Sequence, residues 1–155
     1  MGTRSLTFVY DSYKNEQGQM VYRPIINMYR QYDGYPTGHG AEVADFLNQF
    51  EAITNGIAVG EKRRTANGMG CLAGQLVSNF KGDEAGQFYL YPVECVDCGQ
   101  DYEYHVYQNE NRELCVRIKD RGFNMFGLTM SDKDECLFDG VLSEFAEFCA
   151  EKEAA

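Results

Sequence analysis

Between residues 27 and 40 the chain reads Asn-Met-Tyr-Arg-Gln-Tyr-Asp-Gly-Tyr-Pro-Thr-Gly-His-Gly, which places three tyrosines, an arginine, an aspartate, a histidine and three glycines within fourteen residues. Tyrosine rings can stack on a flat ligand, Arg30 offers a charged hydrogen-bonding fork, and glycines beside a helix start leave backbone N–H groups open to an anion. Arg30, Tyr32, Asp33, Tyr35, Thr37 and His39 are therefore candidate ligand-binding residues. Arg4, from the N-terminal strand, and Asn67, at the start of the second helix, complete the set. A bland reading stands beside this one, because any strand-to-helix connection needs turn residues and a loop histidine is often only solvated. His39 and Asp33 could share proton transfer in a small hydrolase. The sequence supplies no second histidine nearby, no Ser or Cys nucleophile elbow and no metal-ligand set, so no catalytic residue, metal or cofactor is assigned.

Charge narrows the partners. The formal net charge is −10, and residues 1–67 hold seven basic and seven acidic groups whereas residues 68–155 hold seven basic against seventeen acidic. The first half is thus the better place for a small anionic ligand, and duplex nucleic acid is a poor partner for the whole. Lys62-Arg63-Arg64 reads as a solvated basic loop that could still hold a few phosphates. The six cysteines, with no export signal, read as reduced thiols in a cytoplasmic protein. Cys95-Val96-Asp97-Cys98 is a lone CxxC that precedes a strand, which argues against both a zinc site and a thioredoxin-like motif. No apolar run approaches the ~20 residues that span a bilayer, so no membrane partner is expected.

The elements that must position these groups follow from periodicity. Strands are predicted over residues 4–10, 20–29, 88–92, 102–108, 113–119 and 135–138; alternation is clearest in 102–108, where His105 reads as a mid-strand surface residue. Pro24 cannot donate to a ladder, which marks its neighbourhood as an edge or a bulge. Apolar stripes predict helices over 41–53, 69–80 and 141–149, while 57–67 reads as a polar loop and 121–133 as irregular. The expectation is a single α+β domain over residues 1–155. It has a mostly antiparallel sheet of five or six strands and three amphipathic helices, in the order ββααβββ(β)α. Strand order is not set by these patterns.

The start Gly2-Thr3-Arg4-Ser5-Leu6, the D-x-Y-P-x-G-x-G centre from Asp33 to Gly40 and Asn67-Gly68-Met69-Gly70-Cys71-Leu72-Ala73 resemble a family of small, uncharacterised bacteriophage and prophage proteins. That resemblance implies a phage accessory protein acting in the host cytoplasm and brings no assigned activity. Joined to the loop chemistry, it gives the leading expectation: binding of a small anionic, nucleotide-like ligand, with sequestration of a host defence signal as its use. The alternatives are the small hydrolase and an acidic inhibitor of a host protein. A homo-oligomer is compatible with each.

Overall fold

The computed structural model describes residues 2–57, 60, 64–122, 124–125, 128–129 and 133–154. Strands β1 (Ser5–Lys14) and β2 (Met20–Arg30) form the opening hairpin. A wide helical turn, Pro36–Gly40, leads into α1 (Ala41–Asn48). Two three-residue strands, β3 (Ala52–Thr54) and β4 (Thr65–Asn67), pair in parallel ahead of α2 (Gly68–Lys81). Then come β5 (Phe88–Tyr91), β6 (Tyr102–Gln108) and β7 (Leu114–Asp120), the small pair β8 (Asn124–Met125) and β9 (Leu128–Thr129), then β10 (Glu135–Val141) and α3 (Leu142–Ala154). The expected α+β order is present.

Several predicted boundaries move: β1 runs on to Lys14 past residue 10, β10 to Val141 past 138 and α3 to Ala154 past 149. The helix expected over 41–53 stops at Asn48, and Ile53 serves a strand in place of the helical stripe. Ile53 and Thr54 are β-branched and favour extended backbone, and a three-residue strand is too short to show a period. Its partner β4 falls inside the stretch read as a polar loop. Of the basic run, Lys62 and Arg63 lie outside the described residues, while the Arg64 guanidinium sits 5.4 Å from the centre of the Phe50 ring. The stretch read as irregular holds β8 and β9, and several of its residues also lie outside the description.

The main sheet has the order β10-β7-β6-β1-β2-β5. Every neighbouring pair is antiparallel except the central one, where β1 and β6 run parallel from Ser5↔Tyr102 to Val9↔Val106. Side chains alternate across each strand, so register assigns faces. Val9, Met28, Tyr104, Val106, Val116 and Ile118 share one face and bury against Val43, Phe46 and Leu47 of α1, Leu72 and Leu76 of α2, and Phe145 of α3. All three helices therefore cover the same side. The other face carries Leu6, Phe8 and Tyr29, with Tyr10, Tyr91 and Cys98 packed around them. Residues 92–98 cross part of it, held where the Asn27 side chain donates to the carbonyls of Pro92 and Cys95.

Pro24 marks a bulge, as its chemistry suggests. Val9 pairs with Ile26 but Tyr10 pairs with Pro24, so Ile25 is the extra residue. One added residue inverts the alternation beyond it, and Tyr22 is thereby turned onto the face opposite the helices. There its ring meets Tyr107 edge-on at 5.5 Å.

All six cysteines are free, with Cys115 and Cys149 buried. Thermal unfolding should give the same midpoint with and without a thiol reductant. A clear drop on reduction would show that a disulfide contributes to stability. Among the described residues, no helix is long and apolar enough to cross a membrane.

Candidate functional site

The loop that looks most like a ligand site is committed largely to internal bonds. His39 is fully buried, with its ring 4.9 Å from that of Tyr104 and 5.1 Å from that of Phe80. Arg30 can only donate, so His39 Nδ1 accepts from its guanidinium at 3.0 Å and Nε2–H donates to Thr7 Oγ1 at 2.7 Å. Burial, reinforced by the Arg30 charge, pushes the imidazole down to about 3. The ring is therefore neutral. Arg30 also donates from Nε to the Tyr32 carbonyl at 2.6 Å, pairs with Glu42 and lies over the Phe88 ring. The Tyr104 hydroxyl, from the centre of the sheet, donates to the Gly34 carbonyl at 2.7 Å.

The remaining predicted residues are spread out. Tyr32, Asp33 and Tyr35 are exposed and Thr37 is half-buried. Tyr35 donates to Asp33, whose positive φ of 62° lets its carbonyl turn inward to accept the His39 N–H at 2.8 Å. Arg4 is buried on the face away from the helices, against the Tyr29 hydroxyl, whereas Arg30 lies on the helix face. The two arginines therefore cannot grip one phosphate. Asn67 is exposed and caps the Gly56 N–H at 2.6 Å; the hollow beside Gly68 is lined by residues 11–14, at the far end of β1 from the loop.

A different set of groups converges on the uncovered half of the sheet. Tyr10 of β1, Tyr22 of β2, His105 and Tyr107 of β6 and Arg117 of β7 line a cleft of about 350 Å³. Its floor is an ordered stack in which the His105 ring lies 5.2 Å from Phe8 with a 5° tilt and 5.7 Å from Tyr10. Behind it runs a hydrogen-bonded chain. Glu103, 5% exposed, faces His105 Nε2 at 3.1 Å through Oε1, while Oε2 accepts from Gln100 at 2.8 Å and from Arg121 at 2.9 Å. His105 Nδ1 stands 2.6 Å from the Tyr10 hydroxyl. Burial alone would push the Glu103 carboxyl up, but bonds from His105 and Gln100 and the charge of Arg121 hold it below the ordinary range. Burial, with the Glu103 charge, pushes the Tyr10 hydroxyl up to about 12. On the rim, Asp139 accepts from the Tyr107 hydroxyl and from Arg117 Nε, the latter at 3.2 Å.

Sequence reasoning passed over this cleft because its lining comes from four strands spread between residues 10 and 117. His105, read as a surface residue, is part-buried and doubly bonded. The usable signal was the polar side of β6, where Glu103, His105 and Tyr107 alternate with the core residues Tyr104 and Val106. A carboxylate and an imidazole two residues apart on one strand face can touch, as these do.

What the cleft can do is stack a flat ring and meet an anion. Stacking surface comes from Tyr22 and Tyr107, charge from Arg117, and a fixed polar oxygen from Tyr10. It is poorly equipped for nucleophilic chemistry, because Tyr10 stays protonated and Cys115, which lies against Tyr107, is buried with its thiol pushed up by burial. Comparison of the chain with protein-family models, with curated proteins and with solved structures finds no match.

Proposed function

We propose that the protein is a binding module for a small anionic, nucleotide-like molecule, taken up in the cleft between Tyr10, Tyr22, His105, Tyr107 and Arg117. The observation that carries this reading is convergence: three tyrosines and an arginine meet in a cleft whose floor is already fixed by the Phe8–His105 stack and the Glu103 chain. Its volume of about 350 Å³ falls at the small end of the ~300–1,000 Å³ typical of ligand sites and suits one base and one phosphate. Arg117 offers its outer N–H groups while Asp139 steadies Nε, an arrangement suited to a planar anion. The acidic remainder of the surface disfavours long nucleic acid, which leaves small ligands as the better match. In the phage setting that the sequence resemblance implies, capture without conversion amounts to sequestration of a nucleotide signal in the host cytoplasm. The loop around His39 then serves as scaffold.

Titration with nucleoside monophosphates, followed by calorimetry or tyrosine fluorescence, tests this. Tyr107→Ala and Arg117→Ala should each weaken binding by about 5–150-fold, the equivalent of ~1–3 kcal/mol for a lost stacking or charged contact. The loss with Arg117→Ala should shrink as salt rises. Absence of binding to the unaltered protein, or turnover of the bound nucleotide, would overturn the reading.

A further inference from the structure

With His105 in its neutral form, the hydrogen-bond chain behind the cleft has one consistent direction, and that direction sets what the cleft accepts. Glu103 is ionised and can only accept, so in the neutral ring His105 carries its proton on Nε2 and gives it to Glu103 Oε1 across 3.1 Å. Nδ1 is then a bare acceptor. Its partner at 2.6 Å is the Tyr10 hydroxyl, which must donate. A phenol has one proton, and with that proton turned to His105 the Tyr10 oxygen shows only lone pairs to the cleft it lines. We infer that Tyr10 is the specificity-determining residue of the cleft, polarised by Glu103 through His105 to accept a hydrogen bond, and that the ligand is an amino-bearing heteroaromatic phosphate.

This inference rests on the nucleotide-binding reading above and adds to it a chemical preference. A base with an exocyclic amine supplies the proton that Tyr10 lacks, whereas the same base without the amine leaves those lone pairs without a donor in the complex. Sites built to hydrogen-bond one group reject the analogue without it far more strongly than apolar pockets reject a missing methylene. Glu103→Gln should reverse the direction. The amide oxygen can keep the Gln100 and Arg121 bonds while its NH2 donates to Nε2; the ring proton then moves to Nδ1 and donates to Tyr10, whose own proton is freed to point into the cleft.

Two measurements in mildly alkaline buffer test the inference. Nitrogen-15 NMR of the unaltered protein should show His105 protonated on Nε2, and in Glu103→Gln on Nδ1. Adenosine 5′-monophosphate should bind the unaltered protein at least about tenfold more tightly than purine riboside 5′-monophosphate, which lacks the amine. That advantage should vanish in Tyr10→Phe, which removes the oxygen and leaves Glu103 and His105 in place, and in Glu103→Gln. Equal affinity of the two nucleotides for the unaltered protein would overturn the inference and leave the nucleotide reading standing. An Nδ1 proton in the unaltered protein would overturn it by showing the chain to run the other way. Failure of both nucleotides to bind would overturn the nucleotide reading together with the preference built on it.

Discussion

Alanine in place of His39 is expected to destabilise the fold by about 3–5 kcal/mol, as removal of a buried, hydrogen-bonded ring does. The ring fills space between Tyr104 and Phe80, and its two nitrogens satisfy Arg30 and Thr7 inside the protein. Its neutrality gives a second, more diagnostic signature. The folded ring takes a proton only near pH 3, whereas an unfolded histidine does so near 6.5. Between those values the unfolded chain binds one more proton than the folded one, so acid favours unfolding. The contribution is complete above pH 6.5 and falls by ~1.4 kcal/mol for each unit below it. Urea denaturation at pH 7.5 and at pH 5 should thus give a lower stability at pH 5 for the natural sequence. The difference should be smaller by about 2 kcal/mol in His39→Gln, which cannot titrate. An unchanged acid slope in that variant would show that the ring is not held neutral by burial.

Glycines in the same loop should behave as packing residues. A Cβ built on Gly38 would stand 2.5 Å from the Asp33 carbonyl oxygen, the atom that accepts the His39 N–H, and one on Gly34 would stand 2.9 Å from the Arg4 carbonyl carbon and from Ser5 Cβ. The obstructing atoms are backbone or fixed to it, and they cannot swing aside. Gly34→Ala and Gly38→Ala are each expected to cost about 1–3 kcal/mol, the usual range for overpacking. Gly70 and Gly74 on α2 provide the contrast, since an added Cβ meets nothing within 4 Å. There alanine should leave stability unchanged or raise it by up to about 1 kcal/mol. Calorimetric melting of the four variants separates these cases, and a Gly38→Ala midpoint equal to that of Gly74→Ala would refute the close-approach account. Ligand affinity should not change in any of the four, because none touches the cleft between Tyr22 and Arg117.

Periodicity made the elements legible where a segment is long enough to show one. Met69, Leu72, Ala73 and Leu76 mark the buried side of α2, and alternation marks β6 as a strand with one core side. It failed at β3 and β4, where three residues carry no period. The parallel contact of β1 with β6 was also hidden, because nothing local records which strand a strand will meet. In the loop, burial is not legible from composition: a histidine between glycines looks the same in sequence whether it faces water or Phe80. The cleft was hidden for a related reason. Tyr22 reaches it only because a bulge beside Pro24 reverses the alternation of β2, so an unbroken strand pattern would have pointed Tyr22 toward the helices.

The parallel seam between β1 and β6 has a consequence for how the chain is made. Its partners stand ninety-seven residues apart, so β1 leaves the ribosome well before β6 and its inner edge has no partner while β6 is still being translated. At ~5–20 residues per second that wait lasts on the order of several seconds. Closing so distant a contact also places the final assembly among the slow, non-local steps of folding. In that interval the exposed edge includes Leu6, Phe8 and Val9, residues almost wholly buried in the finished sheet. The middle of the sheet, buried once formed, thus cannot be completed until β6 has been made.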